Sequence, residues 1–515
     1  MRRRKINRLS PPKPIERDFS MEQDILSLFS EGTPYEAGIP ADAIRRFLNR
    51  LASRQVCLHS VLLYRHGILA AEGYFSPCRA DSLHRMFSVC KTLTALSISL
   101  LAEEGRLSLE DPVTRFFPDK LPQNPHPWIC EMTVRNLLMM RTCHASTTYK
   151  AALDKDWIAS FFQTMPSHKP GTVFHYDTSA AHVLCALAER LSGMRMLDYL
   201  RVKCLDRIGW SKDSYILKNA FGDSMGGSGL MATSRDLLRL GILLLQKGSA
   251  SGEQLLPVSF VEEMTSCLTP TAVTGNVVSE AQGYGYQLFQ NAKGGFVCYG
   301  MGGQLAICLP KEDLVLVTTA DTQGMGGGND LIYNSLYEEI LPYLDRVPPK
   351  AKAQKEDADL EMCIKKLALR PPALEKRALP SVAGCTSFLD DRTVARRVNG
   401  RQYRLQENPQ GFSEICLSFE DDTGTLTYCH RGRTGQLRFG LSRCVPGSLP
   451  FYDMDCAAGG MWLDRDTFYI KVHLLDTSVG SLHMEFYFGE NDITVFFKKI
   501  EEYLFTEFAG HFYGL

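Results

Sequence analysis

A ten-residue stretch, Thr92 to Leu101, is apolar nearly all the way round a helical wheel. A helix without a polar face has to be enclosed, so this chain must fold into something that buries the segment in its core. The run that leads into it is Arg85-Met86-Phe87-Ser88-Val89-Cys90-Lys91-Thr92-Leu93-Thr94, which sets a serine and a lysine three apart at the helix start. Positions i and i+3 share one helix face. A helix N-terminus carries partial positive charge and free N–H groups, which favour a serine alkoxide. A lysine shut away from water loses its proton and can take one from a hydroxyl. Ser88 and Lys91 are therefore a candidate nucleophile and base, although S-x-x-K alone also arises by chance in chains of this length.

At 515 residues the chain exceeds one typical domain, so two or three are expected. A hydrophobic content of 44% and a charged content of 22% fit a globular protein. Lysine plus arginine (57) balances aspartate plus glutamate (58), which argues against a nucleic-acid or membrane-surface partner. No stretch reaches the roughly 18 apolar residues that span a bilayer. The basic start, Met1-Arg2-Arg3-Arg4-Lys5, runs into Pro11, Pro12 and Pro14 and not into an apolar signal core, so a cytoplasmic protein is expected. The 16 cysteines are scattered without a C-x-x-C pair, and read best as small buried hydrophobes in a reducing compartment. No metal site and no cofactor is expected.

Residues 1–35 are polar and proline-bearing and read as a loose arm. From 36 to 345 strands and helices mix. Val61-Leu62-Leu63-Tyr64 and Ile68-Leu69-Ala70-Ala71 flank Arg65-His66-Gly67 as a hairpin. Asp236 to Leu245 predicts a helix capped by Thr233 or Ser234 and ended by Gly248. Strands are predicted over Tyr284–Phe289, Leu305–Leu309 and Leu314–Thr319. An N-terminal hairpin, a helical middle and returning strands suggest an α+β fold, one antiparallel sheet with helices packed on it. Residues 346–380, with Pro348-Pro349, a charged run and Pro371-Pro372, read as a linker. In 381–515, Phe468, Ile470, Val472 and Leu474 alternate with other residues, as do Leu482 to Phe488 and Ile493 to Phe497. That period of two describes an antiparallel meander, closed as a small barrel or sandwich.

Two further pieces bear chemistry. Phe174-His175-Tyr176-Asp177-Thr178-Ser179 precedes the predicted helix Val183 to Leu191, and Tyr299-Gly300-Met301-Gly302-Gly303-Gln304 leads into the strand at Leu305. Glycines at a strand start let a substrate lie against the backbone. With the Ser88 run, these pieces resemble the serine β-lactamase-like family of penicillin-binding proteins, class C β-lactamases and related esterases and amidases. Glu103 to Val113, Val134 to Met140 and Gly227 to Leu237 resemble further family segments, so the likeness spans about 36–345.

The resemblance implies a β-lactamase/transpeptidase-like fold with a β-rich, lipocalin-like C-terminal domain. It implies Ser88 as the acylated nucleophile, Lys91 as its partner base and Tyr176 as the tyrosine of Y-x-N, which moves protons. The acylation base is disputed within the family. Met301-Gly302-Gly303 stands in place of K-T-G, and backbone N–H groups of Ser88 and Gln304 would hold the oxyanion. Thr178 departs from the usual asparagine and Met301 from the usual lysine or histidine. The charge that steers a substrate carboxylate is thus missing, and neutral esters or amides should be favoured over carboxylate-bearing β-lactams. Arg141-Thr142-Cys143-His144 carries a cysteine where relatives have glycine.

Competing motifs are weaker. Gly222-Asp223-Ser224-Met225-Gly226 fits the G-x-S-x-G nucleophile elbow but runs into a glycine-rich loop. His175 reads as structural, Cys90 as core, and Cys143, His144 and His182 lack metal-ligand spacing. Three functions follow: a serine hydrolase acting on an ester, amide or D-amino-acid peptide; a penicillin-recognising protein with little turnover; or an inactive ligand-binding or scaffold member. The partner expected is a small molecule or peptide, and oligomeric state is not encoded in any feature found.

Overall fold

Strands β2 (Cys57–Arg65) and β3 (Ile68–Tyr74) form the expected hairpin. His66 and Gly67 turn it with φ of 52° and 80°, the left-handed pair a two-residue loop requires. The structure is a computed structural model that describes residues 25–151, 153–275, 277–372 and 393–515. Of the expected arm, 1–24 lies outside these residues. Its described end is ordered: Ser30–Glu31 (β1) pairs in parallel with β3.

The central sheet also contains β4 (Phe289–Gln290), β5 (Phe296–Gly300), β6 (Gln304–Leu309) and β7 (Leu314–Asp321). Its order is β1-β3-β2-β7-β6-β5-β4, antiparallel apart from the β1 edge. Both faces are covered, which is why the strands read as continuous apolar runs. On β2, Leu62 and Tyr64 join the core shared with helices α2 (Cys90–Glu103), α3 (Thr178–Ser192) and α4 (Ser234–Leu245). Val61 and Leu63 join the opposite core, under α1 (Ala41–Ser53) and α5 (Gly328–Glu339). Helix α2 is buried from Cys90 to Leu101, as its sequence demands. Thr233 caps α4 through a full capping box with Asp236.

Two expectations change. Tyr284 to Phe289 is a tight turn and not a strand: Tyr284 bridges Phe289 across Gln287, whose φ is 57°. The Gln287 amide donates to the carbonyls of Leu137 and Leu138, and this anchors the turn. Within the expected linker, Lys350–Ile364 is a helix, α6, which buries Ala353 and Leu360. Leu360 belongs to the second core, and the chain beyond is pinned by Leu369 N–H to Ser76 O (2.9 Å) and Arg370 to Ala52 O (2.8 Å). Truncating Leu360 to alanine is therefore expected to cost about 2–4 kcal/mol. Denaturant unfolding of the variant checks this, and an unchanged midpoint would show that α6 is a tether after all. Residues 373–380 of the expected linker and 381–392 of the expected C-terminal segment lie outside the described residues.

Residues 393–515 carry a second sheet of ten strands. These are β8 (Gln402–Arg404), β9 (Phe412–Phe419), β10 (Thr423–His430), β11 (Arg433–Gly440), β12 (Val445–Leu449), β13 (Met454–Trp462), β14 (Thr467–Leu475), β15 (Val479–Phe488), β16 (Ile493–Ile500) and β17 (Gly510–Gly514). The order is β8-β9-β10-β11-β13-β14-β15-β16-β17, with β12 on β13. The ends meet where Leu515 N–H donates to Arg404 O at 3.0 Å, so the sheet is a nearly closed barrel. Alternate residues of β14, β15 and β16 fill it, as the period of two predicts. One end of the barrel faces the first sheet: Arg85 donates to Thr477 O (2.7 Å) and Gln323 to Val479 O (2.6 Å).

Candidate active site

Ser88 sits in a 3-10 turn, Phe87–Val89, that feeds α2. Phe87, just before it, has φ of 45°, a region bulky residues avoid. Strain of that kind persists only where the surroundings enforce it. Here they do: β5 presses on the turn, and Gly300 lies so close that any β-carbon there would overlap the Met86 carbonyl oxygen.

Lys91 is 1% exposed, and its Nζ lies 2.9 Å from Ser88 Oγ. A second bond runs from Nζ to the carbonyl of Gly227 at 2.7 Å. Burial draws the ammonium down to about 7 from its ordinary value near 10.5. The nearby charges of Asp177 and Glu502 oppose that shift and Lys150 adds to it. A neutral amine at this place donates to Gly227 O and offers its lone pair to the Ser88 hydroxyl.

Tyr176 brings the second piece to the same point. Its ring lies 4.8 Å from Lys91 Nζ and stacks on Phe289 at 5.7 Å. Burial pushes its phenol above the ordinary range, and a hydrogen bond with Ser88 only partly offsets this. The phenol is thus protonated at neutral pH and not a resident anion. Asp177 caps α3 by accepting from Ser179 N–H and is pushed up to about 6 by burial.

The third piece is the β5–β6 turn. Gly302 and Gly303 have φ of 81° and 94°. The Gln304 side chain faces inward, donating to Met301 O (2.7 Å) and Ala320 O (2.9 Å) and accepting from Ala320 N–H (2.9 Å). These bonds lock the turn. Met301 is half-buried and supplies no charge.

Thr178 begins α3 and donates its N–H to Thr147 Oγ1 at 3.0 Å. Its methyl leaves no room beside Gly227, where a β-carbon would lie 2.5 Å from Thr178 Cγ2 and 3.0 Å from its carbonyl. The Gly227 carbonyl accepts from Lys91 Nζ beside this contact. Phe87, Gly300 and Gly227 each lie in a run the sequence singles out, but nothing in those runs marks the strained turn, the close approach or the carbonyl partner.

The weaker motifs take structural places. Ser224 donates to Glu189 (2.6 Å) in a loop. Cys90 is buried with its thiol pushed up to about 12. His182 packs edge-on to Trp157. Cys143 lies against His144 at 3.9 Å, and among the described residues no group of three donors could hold a metal.

The model of the family described as Beta-lactamase matches residues 45–335, more than half of the chain and all three pieces of the site. The chain belongs to the beta-lactamase family. Among relatives, the 6-aminohexanoate-dimer hydrolase of Paenarthrobacter ureafaciens is 25% identical over 308 residues, 55% of this chain and 78% of that protein. Esterase EstB of Burkholderia gladioli is 39% identical over 69 residues, 13% of this chain and 18% of the esterase. Among solved structures, a Bacillus anthracis protein assigned as a 6-aminohexanoate-dimer hydrolase superposes with a TM-score of 0.51 at 21% identity, over 64% of this chain and 91% of its own. The likeness confirms the β-lactamase/transpeptidase-like fold. Outside the family match stands the barrel, and among the described residues no helix is long and apolar enough to cross a membrane.

Proposed function

We propose that this beta-lactamase family member is a serine hydrolase that cleaves an ester, an amide or a D-amino-acid peptide through an acyl-enzyme on Ser88. The observation that carries the reading is the buried Lys91 amine, 2.9 Å from Ser88 Oγ and anchored on Gly227 O. Neutral Lys91 takes the Ser88 proton as Oγ forms a bond to the substrate carbonyl carbon. The tetrahedral oxyanion rests on the backbone N–H groups of Ser88 and Gln304, each such donor contributing on the order of 3 kcal/mol to the barrier. A proton relayed by Tyr176 goes to the leaving group, the scissile bond breaks, and an alcohol or amine departs. Water then adds to the acyl carbon and loses a proton to the same relay. The acid leaves and the Ser88 hydroxyl is restored.

The substrate class follows from what surrounds the nucleophile. Met301 and Thr178 give no charge to a carboxylate beside the scissile bond, which favours neutral acyl groups. The names of two relatives, a 6-aminohexanoate-dimer hydrolase and an esterase, support a hydrolytic reaction, with an ester among the candidate bonds. No cofactor enters the proposed steps. The hydrolase unit in this reading covers about 36–372, with the barrel a separate unit, in a cytoplasmic setting. The described cysteines form no disulfide with one another, in keeping with that setting.

Intact-protein mass after incubation with an uncharged fluorophosphonate, and separately with a penicillin, tests the reading. A fluorophosphonate adduct that vanishes in Ser88→Ala supports it. A stable penicillin adduct with no fluorophosphonate reaction would favour a penicillin-recognising protein. No adduct with either would favour an inactive binding member and turn attention to Met301 and Thr178.

A further inference from the structure

Between the first sheet and the barrel lies a cavity of about 630 Å³ that residues of both line. None of Ser88, Lys91 and Tyr176 lines it. Its floor carries three hydroxyls, Ser60 of β2, Thr319 of β7 and Ser234 of α4, which are 1%, 1% and 5% exposed. Ser60 Oγ lies 2.6 Å from both Ser234 Oγ and Thr319 Oγ1. Three hydroxyls carry three protons, and two contacts use two of them. Whichever way the bonds run, one O–H of this buried trio has no acceptor among the described residues. A buried donor without an acceptor is unfavourable, and this one borders a space that a ligand can fill.

Beside the trio stand His59 and His84, whose protons are all committed. The Arg85 carbonyl can only accept, so His84 Nδ1 donates to it at 3.1 Å. His84 Nε2 then accepts from His59 Nδ1 (2.8 Å), and His59 Nε2 from the Cys57 thiol (3.7 Å). Burial draws His84 down to about 4 and His59 well below its ordinary value, so both rings are neutral. The floor is therefore uncharged. The mouth differs. The barrel supplies Asp455 and Asp476 to it. Asp476 accepts from the N–H groups of Asp455 (3.2 Å) and Thr477 (2.6 Å), while the Asp455 carboxylate has no partner among the described residues. Arg79 and Asp81, also at the mouth, pair with each other at 3.1 Å, which leaves the rim negative. Tyr215, 41% exposed, adds an aromatic face.

A molecule that matches these walls brings clustered O–H or N–H donors to the two carboxylates, an oxygen acceptor to the floor and a C–H face to Tyr215. A sugar ring has all three, and a negative charge on it would meet Asp455 and Asp476. The volume lies within the range of about 300–1,000 Å³ of small-molecule sites, which favour domain boundaries. We propose that this cavity is a second ligand site, separate from the Ser88 pocket, and that it takes a saccharide without negative charge. The site stands whether or not Ser88 is acylated. It also gives the barrel a role. His84 and Asp476 line the cavity, and their chain neighbours Arg85 and Thr477 are bonded to each other at 2.7 Å. A sugar held there touches both sides of a junction between sheet and barrel.

Calorimetric titration of the full chain at pH 7 with glucose, glucosamine and glucuronate, one ring in three charge states, tests the assignment. Glucosamine should bind most tightly, glucose less so and glucuronate not at all. Asp455→Asn should bring glucosamine down to the level of glucose, a loss of about threefold, the scale of a solvent-screened ion pair. Thr319→Val removes a floor hydroxyl at nearly equal volume and should weaken glucose about fivefold, the scale of one hydrogen bond. Leu83→Trp enlarges a half-buried side chain of the cavity wall and should abolish both, with the unfolding midpoint as the check that the chain is still folded. No binding of glucose or glucosamine overturns the proposal. So does glucuronate binding more tightly than glucose, or affinities that Asp455→Asn and Thr319→Val both leave unchanged. Fluorophosphonate labelling of Ser88 reports on the hydrolase reading independently, so either can fail alone.

Discussion

Replacing Lys91 with methionine is expected to slow acylation of Ser88 about a thousandfold, within the range of lost general-base catalysis, and yet to raise the temperature of unfolding at pH 7. Both effects come from one fact. The ammonium is depressed to about 7 in the native protein, against about 10.5 when exposed. Between those values the unfolded chain holds a proton that the native chain has shed, so native stability climbs with pH across that window and is lowest at pH 7 and below. At 1.36 kcal/mol for each pH unit, the burden at neutrality is on the order of a few kcal/mol. Methionine removes it, at the expense of an unbonded Gly227 carbonyl worth about 1–3 kcal/mol. The variant's stability should be flatter between pH 7 and 10 than that of wild type. In wild type, reaction of Ser88 with an uncharged fluorophosphonate should rise with pH and level off through an inflection near 7, as the amine becomes neutral. A Lys91→Met protein that still reacts at the wild-type rate would remove lysine from the mechanism.

Gly300→Ala is the second change with a large expected effect. The new methyl would overlap the Met86 carbonyl and lie 2.8 Å from Gln304 Cβ. Overpacking of this kind costs about 1–3 kcal/mol. Relief comes only by pushing β5 away from the Met86-Phe87-Ser88 turn, and a displacement of about 1 Å at a reacting group can cost roughly a hundredfold. Stability and acylation should therefore fall together. Gly326→Ala, at a glycine with open space around it, should change neither. Unfolding midpoints and fluorophosphonate rates read both; a fully active Gly300→Ala protein would mean that β5 does not hold the nucleophile in place.

Much of this molecule is legible in its sequence, for identifiable reasons. Ser88 and Lys91 fall within four residues at one helix start, and an apolar helix reports its own burial. The barrel strands alternate because one face of each meets the core. What escaped has no side-chain signature. The Gly227 carbonyl that anchors Lys91 is backbone, so no side chain in the sequence announces it. Phe87 adopts a left-handed conformation because β5 and α2 converge on it, which no local preference encodes. Helix α6 hides because only Ala353 and Leu360 of its residues are buried, and a charged run with two buried positions looks like a tether. Tyr284 to Phe289 alternates like a strand, yet the Gln287 amide, bonded across to Leu137 and Leu138, bends it into a turn.

The pairing of β2 with β7 also sets a timetable for synthesis. These neighbours at the centre of the first sheet lie about 250 residues apart in the chain. At roughly 5–20 residues per second, tens of seconds separate the emergence of the hairpin from that of its partner. Until then Leu62, Leu63 and Tyr64 lack one side of their sheet, and a nascent chain stalled before residue 314 would present an open, apolar strand edge to chaperones. The barrel reverses the situation. Its strands pair almost wholly with neighbours in sequence, so loop closure is inexpensive and folding fast. Residues 393–515, which follow the hydrolase region in the chain, can thus close on themselves soon after they emerge.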